Sequence, residues 1–111
     1  FWTRFFTPYA KAVYIATDDG SSGFHGYPLH LMPLVLCENE VHAVKVCGPD
    51  PMMDGIARLA RSAGLPCEVS LEKRMACGFG VCLGCTFEGT TGERRKTCTE
   101  GPVFAAEEVF E

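Results

Sequence analysis

Basic residues and long apolar runs are both scarce in this sequence. Its 111 residues include 10 Lys and Arg against 14 Asp and Glu, which gives a net charge of −4. Because no basic patch dominates, nucleic acids and anionic membranes are not expected as partners. No apolar run reaches the ~20 residues that span a bilayer. The N-terminal FWTRFF lacks an initiator Met and the layout of a secretory signal, so we expect a cytoplasmic chain cut from a longer one.

Cysteine, in contrast, is abundant. The chain has 7 cysteines, whereas a secreted disulfide scaffold more often has an even number and a signal peptide. Four lie close together near the C-terminus, and three are scattered in apolar surroundings: Cys37, Cys47 and Cys67. A reducing compartment and one metal site fit this distribution. We expect the three scattered thiols to be buried as small hydrophobic groups.

Two apolar runs with an amphipathic segment between them predict a β-α-β unit. The strands are VHAVKVC at 41–47 and CEVSLE at 67–72. In the helix between them, Asp50 is the expected N-cap, Pro51 the first helical residue and Gly64 the left-handed C-terminal cap. Its apolar face is expected to hold Met52, Ile56, Leu59, Ala60 and Ala63. Such a unit forms a parallel sheet with a right-handed crossover.

The flanking segments are less regular. KAVYIA at 11–16 predicts a buried strand that runs into the polar loop TDDGSSG. The segment 28–37 predicts a short or broken helix, because Pro33 removes a hydrogen bond in its middle. From Arg74 onward glycine, threonine and cysteine replace the periodic pattern. This part cannot bury enough apolar surface by itself, so we expect a bound group to organise it.

The sequence MACGFGVCLGC at 75–85 starts a C-x4-C-x2-C-x12-C pattern that ends at Cys98. Structural zinc sites usually use two C-x2-C pairs, and only one such pair is present here. The observed spacing is the plant-type 2Fe–2S pattern. Glycines allow backbone amides to approach the inorganic sulfides closely, and three lie in this segment: Gly78, Gly80 and Gly84. A 2Fe–2S cluster is therefore favoured over zinc, and disulfides are the third alternative.

Four segments occur in an order that makes the chain similar to a known family. They are YIATDDGSSGFHG, VCGPDPM, EVSLEKRMACGFGVCLGC and CTEGPVF. Together they resemble the electron-transfer subunit of NAD-dependent dihydroorotate dehydrogenase of the B type, over about 14–111. That family implies an FAD-binding barrel, a nicotinamide-binding domain and a cluster domain. It also implies electron flow between NAD and FAD, through a 2Fe–2S cluster, to an FMN-containing catalytic subunit in a heterotetramer that makes orotate for pyrimidine biosynthesis.

The resemblance implies an α/β fold in two parts. Residues 1–73 would be the back half of a ferredoxin-reductase-like parallel sheet that binds NAD, and residues 74–111 a small irregular 2Fe–2S cluster-binding domain. The flavin barrel is absent from this sequence, and no G-x-G stretch precedes KAVYIA. We therefore expect a component of an NAD-dependent oxidoreductase that is not active alone, with no catalytic residue of its own. The implied iron ligands are Cys77, Cys82, Cys85 and Cys98.

Two segments are candidate nucleotide contacts. Thr17, Asp18 and Asp19 follow a predicted strand, at the edge where parallel sheets bind nucleotides. A carboxylate there would accept from ribose hydroxyls and favour NADH over NADPH, although a solvated turn explains the same residues. The second segment is CGPDPM at 47–52. The resemblance implies that it lines the nicotinamide pocket, with candidate contacts at Cys47, Gly48, Pro49 and Met52. It is equally compatible with a capped strand–helix junction.

Several alternatives remain open. The chain would also suit the flavin subunit of a sulfhydrogenase or an NADH-dependent ferredoxin–NADP reductase, although CTEGPVF favours the dehydrogenase family. Outside that class lie a stand-alone ferredoxin-like carrier and a zinc-stabilised module without redox chemistry. The basic run Arg94, Arg95 and Lys96 is expected to be a solvated face, with partner docking as the alternative.

Overall fold

The computed structural model describes residues 2–111, which form two compact units. One unit ends at Asn39 and the other begins at Glu40. Residue 1, where the predicted first domain starts, lies outside the described residues. Among residues 2–111 no helix is long and apolar enough to cross a membrane. The helices and strands, in chain order, are α1 Thr3–Phe6, β1 Ala16–Thr17, β2 Phe24–His25, α2 Pro28–Glu38, β3 Val44–Cys47, α3 Asp50–Ser62, β4 Cys67–Ser70, β5 Thr86–Glu88, β6 Arg94–Lys96, α4 Thr97–Glu100, β7 Val103–Ala105 and α5 Ala106–Val109.

The first unit contains a very short parallel ladder. Ala16 pairs with Phe24, and Thr17 pairs with His25. The predicted buried strand at 11–16 is therefore wrong in extent, and the apolar side chains of 13–15 are exposed. Gly23, just before β2, has a left-handed conformation with φ +70°, and a Cβ there would collide with the Ile15 carbonyl. The ladder joins only two residues of each strand.

The helix α2 is continuous, so the prediction of a short or broken helix at 28–37 is also wrong. It runs for 11 residues with Pro28 in its first turn and Pro33 inside it. Proline at the first turn is favourable, because the N–H that it lacks would have no partner there. Pro33 removes one helical hydrogen bond and lies on the exposed side of the helix, whereas Leu31 is buried. The end of the helix is held by Tyr14, whose hydroxyl donates to Glu38 Oε2 and accepts from Asn39 Nδ2, both at 2.9 Å.

The second unit is built on a three-stranded sheet in the order β3-β4-β7. Strands β3 and β4 are parallel, with Val44 opposite Cys67 and Cys47 opposite Ser70. This confirms the predicted parallel β-α-β unit, with both strands shorter than expected. β7 adds to β4 in the antiparallel direction, with Phe104 opposite Val69. The core lies between this sheet and α3.

Helix α3 begins one residue earlier than predicted. Pro49 is its N-cap residue and Asp50 its first residue, so the prediction of Asp50 as N-cap is wrong. The Asp50 carboxylate instead forms an ion pair with Lys73, at 3.1 Å. At the other end Gly64 has φ +68°, and the amide of Leu65 donates to the carbonyl of Ala60 at 2.9 Å. The predicted left-handed glycine cap is confirmed.

The buried face of α3 has the predicted period but a different phase. The buried residues are Met53, Ile56, Ala57 and Ala60. Met52 and Leu59, which were expected on that face, are only half-buried, and Ala63 is exposed. Apolar residues occur on both sides of this stripe, so the period alone does not determine which row meets the sheet.

The scattered cysteines follow the prediction only in part. Cys67 is buried at the start of β4, whereas Cys37 and Cys47 are exposed. Cys37 lies in the last turn of α2, and Cys47 ends β3. Apolar neighbours in the sequence therefore do not place these two thiols in the core.

The C-terminal part joins the sheet through β7. Before it, β5 and β6 form an antiparallel hairpin with Thr86 opposite Lys96. The Phe87 and Phe104 rings pack edge to face with centroids 5.0 Å apart. The domain boundary predicted at 73/74 falls inside the second unit and remains a prediction.

Candidate metal centre

The candidate site is formed by residues 75–85, which we call the cluster loop, and by the short helix α4. The loop contains no helix or strand, and it ends where β5 begins. Because Thr86 lies opposite Lys96 in the β5–β6 hairpin, the residues just outside that ladder also meet. The Thr97 amide donates to the carbonyl of Cys85 at 3.2 Å. The hairpin thereby brings Cys98, which is distant in sequence, next to the third cysteine of the loop.

Three residues of the cluster loop have left-handed backbone conformations. Gly78 has φ +73° and Gly80 has φ +88°, as the predicted role of these glycines requires. Leu83 has φ +60° and is the only non-glycine residue with positive φ among residues 2–111. Both the amide and the hydroxyl of Thr86 donate to its carbonyl, at 3.4 and 2.9 Å. The strained Leu83 turn lies between Cys82 and Cys85, and sequence reasoning did not identify it.

The first two thiols of the loop interact with each other and with backbone amides. Amide donation by Cys82 and then by Phe79, together with the thiol of Cys82, lowers the pKa of Cys77 to about 6. The amide of Gly84 lies 3.4 Å from Cys82 Sγ. Amide hydrogen bonds of this kind favour a thiolate because they stabilise its charge. Cys77 is therefore largely deprotonated at neutral pH, which is the form that binds metals.

The third and fourth thiols form a second pair. The amide of Cys98, and then its thiol, lower the pKa of Cys85. The pKa of Cys98 is raised, first by its hydrogen bond to Cys85 and then by burial. These opposite directions follow from the hydrogen bond between the two thiols, which lowers the pKa of Cys85 and raises that of Cys98. The amide of Gly80 also donates to Cys98, so the loop that carries the first pair contacts the second.

The arrangement of donors fits an iron–sulfur cluster. Four thiols occur as two pairs, Cys77 with Cys82 and Cys85 with Cys98, and amide donors point at their sulfurs. Within the described part of the chain, no three or more His, Cys, Asp or Glu side chains are grouped so that they could hold one metal ion. Soft thiolates with amide hydrogen bonds are the usual ligands of two-iron clusters.

Large apolar side chains lie close to these thiols along the loop sequence and are exposed. They are Phe79, with 69% of its surface exposed, and Val81, with 67%, together with Met75 and Leu83. We call these four residues the apolar rim. Exposed apolar groups that are gathered in one segment are typical of interaction sites.

In the first predicted nucleotide segment, two of the three side chains already stabilise a turn. The Thr17 hydroxyl donates to the Ser22 carbonyl at 2.9 Å. The Ser21 amide donates to Asp19 Oδ1 at 2.9 Å and is the main cause of the lowered pKa of Asp19. Asp18 is exposed and is not part of this hydrogen bonding. The turn interpretation therefore explains Thr17 and Asp19, and a nucleotide role of the segment remains a prediction.

The second predicted segment forms a strand–helix junction in the other unit. The amide of Met52 donates to the Pro49 carbonyl at 2.9 Å and starts α3. Gly48 has φ +153°, and a Cβ there would collide with the end of the Met52 side chain. Cys47, Gly48, Pro49 and Met52 thus lie together at the carboxyl end of β3. Whether they contact a nicotinamide remains a prediction.

Comparison with known proteins identifies relatives over most of the chain. Residues 72–110 match the iron–sulfur cluster binding domain of dihydroorotate dehydrogenase B. The electron transfer subunit of dihydroorotate dehydrogenase B (NAD(+)) from Clostridium acetobutylicum is 40% identical over 103 residues, 92% of this chain and 39% of that protein. The corresponding subunit from Desulforamulus reducens is 44% identical over 101 residues, 87% of this chain and 38% of that protein. The chain thus spans about two-fifths of the length of these relatives.

A solved structure is also similar. It is a chain of the NADH-dependent reduced ferredoxin-NADP oxidoreductase, which was studied for flavin-based electron bifurcation. The two chains share 32% identity with a TM-score of 0.71, over 86% of this chain and 34% of the other. Together with the relatives above, this match confirms the predicted α/β class with a ferredoxin-reductase-like sheet and an iron–sulfur domain.

Proposed function

Since residues 72–110 match the iron–sulfur cluster binding domain of dihydroorotate dehydrogenase B, we propose that this chain is part of an electron-transfer subunit of that enzyme. In this role it relays electrons between NAD and FAD on one side and an FMN-containing catalytic subunit on the other. The observation that carries the proposal is the pairing of four thiols, Cys77 with Cys82 and Cys85 with Cys98, amid backbone amide donors.

The two thiol pairs are the proposed ligands of a 2Fe–2S cluster, one pair for each iron. When bound, such a cluster supplies one-electron transfer and makes no bond to a substrate. The chain's own contribution is to hold the four sulfurs and to offer amides to them. The amide of Gly84 serves Cys82 and that of Gly80 serves Cys98. The lowered pKa of Cys77 supports the assignment, because iron binding requires a deprotonated sulfur.

The apolar rim is the proposed docking surface for the catalytic subunit. Phe79 and Val81 are the most exposed members of the rim, and they lie in the loop between Cys77 and Cys82. Burial of these side chains against a partner would stabilise a complex and exclude water from the neighbourhood of the thiols. Phe79→Asp should therefore weaken binding to the catalytic subunit while the bound iron is retained. The matched substitution Phe5→Asp, on α1, should leave the interaction unchanged.

The nucleotides are the second part of the proposal. Asp18 is the carboxylate of the first segment that the turn does not use, and we assign it to the ribose hydroxyls of NADH. Cys47, Gly48, Pro49 and Met52 are assigned to the nicotinamide side. Neither assigned segment contains a G-x-G turn of the kind that holds the pyrophosphate. These residues by themselves are therefore expected to contact only part of the dinucleotide.

A role in an NADH-dependent ferredoxin–NADP reductase is the second candidate, because a structure of that type is similar at 32% identity. The dehydrogenase assignment is preferred, since dihydroorotate dehydrogenase subunits reach 44% identity. The catalytic partner distinguishes the two roles. Restored reduction of the FMN subunit of dihydroorotate dehydrogenase would support the first role, and restored reduction of ferredoxin alone would support the second.

Metal analysis tests the cluster directly. Chain reconstituted without oxygen should contain two irons and two sulfides, and Cys82→Ser should lose most of both. The control is Cys37→Ser, at an exposed thiol outside the site, which should retain full iron. Stoichiometric zinc without sulfide would contradict the proposal.

The choice of electron donor tests the expectation that the chain is not active alone. Hydride transfer delivers two electrons together, and a flavin must separate them before a one-electron acceptor is reduced. Stopped-flow mixing with dithionite should reduce the reconstituted chain quickly. NADH alone should not, until a flavoprotein is added. Rapid reduction by NADH alone would overturn this part of the proposal.

A further inference from the structure

Thr97 is a buried polar residue without a hydrogen-bond partner for its side chain. Its exposed fraction is 0%, and it is the only buried polar or charged residue in the described part of the chain. Its hydroxyl oxygen has no hydrogen-bond partner among residues 2–111. Buried hydroxyls without a partner are rare in proteins, because the group loses its hydrogen bonds to water and gains none in return.

The position of Thr97 connects this hydroxyl with the metal centre. Thr97 is the residue before Cys98 and begins α4. Its own amide donates to the carbonyl of Cys85 at 3.2 Å. Its carbonyl accepts from the amide of Gly101 at 3.2 Å. The backbone groups of Thr97 are therefore satisfied by the structure around the second thiol pair, and the hydroxyl alone is left without a partner in the same place.

We propose that the Thr97 hydroxyl donates a hydrogen bond to a sulfur of the bound cluster, on the side of Cys85 and Cys98, and so sets its reduction potential. The inference rests on the proposed cluster assignment. In this role Thr97 contacts the cluster, but it neither ligates iron nor contacts a substrate. Reduction adds one negative charge to the cluster and its ligands. A hydroxyl that donates to sulfur stabilises that charge, so its presence raises the potential.

A purely structural role of Thr97 predicts a different effect of substitution at this position. If Thr97 only filled space, valine would replace it well, because valine has almost the same shape and carries no hydroxyl to bury. The cluster-free chain should accept Thr97→Val without loss of stability. A change that appears only in the potential of the loaded chain would then reveal the hydrogen bond.

The experiment compares midpoint potentials of reconstituted full chains by spectroelectrochemistry. Thr97→Val should lower the ratio of reduced to oxidised cluster about tenfold at fixed ambient potential, which corresponds to a shift of about 59 mV for one electron. Thr97→Ser keeps the hydroxyl and should restore the wild-type potential. Thr97→Ala, which also lacks the hydroxyl, provides a second measurement of the shift if the valine variant assembles poorly.

Thr90→Val is the matched control. The Thr90 hydroxyl already donates to the carbonyl of Glu107 at 2.8 Å. Removal of this hydroxyl should therefore lower stability and leave the reduction potential unchanged. Thr97→Val is expected to do the reverse, with a changed potential and unchanged stability. Proton ENDOR of the reduced chains gives an independent measurement, since Thr97→Val should lack one exchangeable proton coupled to the cluster.

The outcomes are distinguishable. A lowered potential in Thr97→Val and Thr97→Ala with recovery in Thr97→Ser supports the inference. An unchanged potential in fully loaded Thr97→Val overturns it and leaves the cluster assignment intact. Wild-type chain without iron and sulfide overturns both the cluster assignment and this inference.

Discussion

Arg95 Nη1 donates a hydrogen bond to Glu108 Oε1 at 2.9 Å, which ties the β5–β6 hairpin to the C-terminal helix α5. The same guanidinium lies 4.8 Å from the centroid of the Phe104 ring. Its Nε is 3.4 Å from Glu100 Oε1, on the helix that carries Cys98. The basic run 94–96 predicted a solvated face. The Arg95 side chain is only 22% exposed, so this residue does not follow that prediction. It connects β6 with α4, which carries the fourth cysteine, and with β7 and α5.

The first prediction concerns this connection. Arg95→Ala should lower the free energy of unfolding by about 1–2 kcal/mol, since it removes two ion pairs and the contact with the Phe104 ring. Arg94→Ala, at the exposed neighbour on β6, should change stability by no more than about 0.5 kcal/mol. Urea denaturation of both variants measures the difference. Equal effects would show that Arg95 contributes only as a surface charge.

The second prediction concerns the pH dependence of Cys77. Its pKa in the folded chain is about 6, below the ordinary thiol value of about 8.5. The thiolate should therefore stabilise the fold fully at pH values above the thiol pKa of the unfolded chain. This stabilisation should be lost as the pH falls through about 6. In cluster-free chain, alkylation of Cys77 should rise with pH to half its maximum near pH 6.

Cys98 provides the internal comparison for that experiment, because its pKa is raised. Its alkylation should begin at higher pH than that of an ordinary thiol. Peptide mass spectrometry after iodoacetamide pulses resolves the two residues in one sample. The same midpoint for both would contradict the assigned directions.

The third prediction uses two glycines with similar backbone conformations. Gly80 has φ +88° and Gly92 has φ +83°, so alanine at either position should cost about 1–2 kcal/mol of backbone strain. A Cβ on Gly80 would lie 3.2 Å from Thr99 Cγ2, whereas one on Gly92 would have no atom within 4 Å. Because Thr99 follows Cys98, only Gly80→Ala should also reduce the iron content after reconstitution. Equal iron content in both variants would rule out this contact as important.

The fourth prediction tests which face of α3 meets the sheet. Met53 is completely buried, whereas Met52 is half-buried. Met53→Ala should lower the free energy of unfolding by about 2–5 kcal/mol because it leaves a cavity in the core. Met52→Ala should lower it by about 1 kcal/mol. Thermal and urea unfolding of the two variants shows which substitution lowers the free energy of unfolding more. A larger loss for Met52→Ala would mean that Met52, as the sequence predicted, lies on the face that packs against the sheet.

The sequence alone determined the features that depend on neighbouring residues. The parallel β-α-β unit follows from two β-branched runs around one amphipathic segment, and the Gly64 cap follows from the local requirement for a left-handed residue. The spacing of the four cysteines predicted the candidate metal centre. These features could be predicted because each has a pattern that is visible along the chain: a period of apolar residues, a glycine at a helix end, or a fixed spacing of one residue type.

Tertiary structure decided the features that depend on residues distant in the chain. The phase of α3 depended on which apolar row met the sheet, and the extent of the first strand depended on its short pairing with β2. The register of the β5–β6 hairpin, which the sequence did not predict, places Thr97 and Cys98 against Cys85. The burial of the Thr97 hydroxyl and the ion pair between Arg95 on β6 and Glu108 on α5 likewise involve residues from separate parts of the chain. No local rule foresees these relationships, because each arises only when separate segments pack and exclude water from the groups between them.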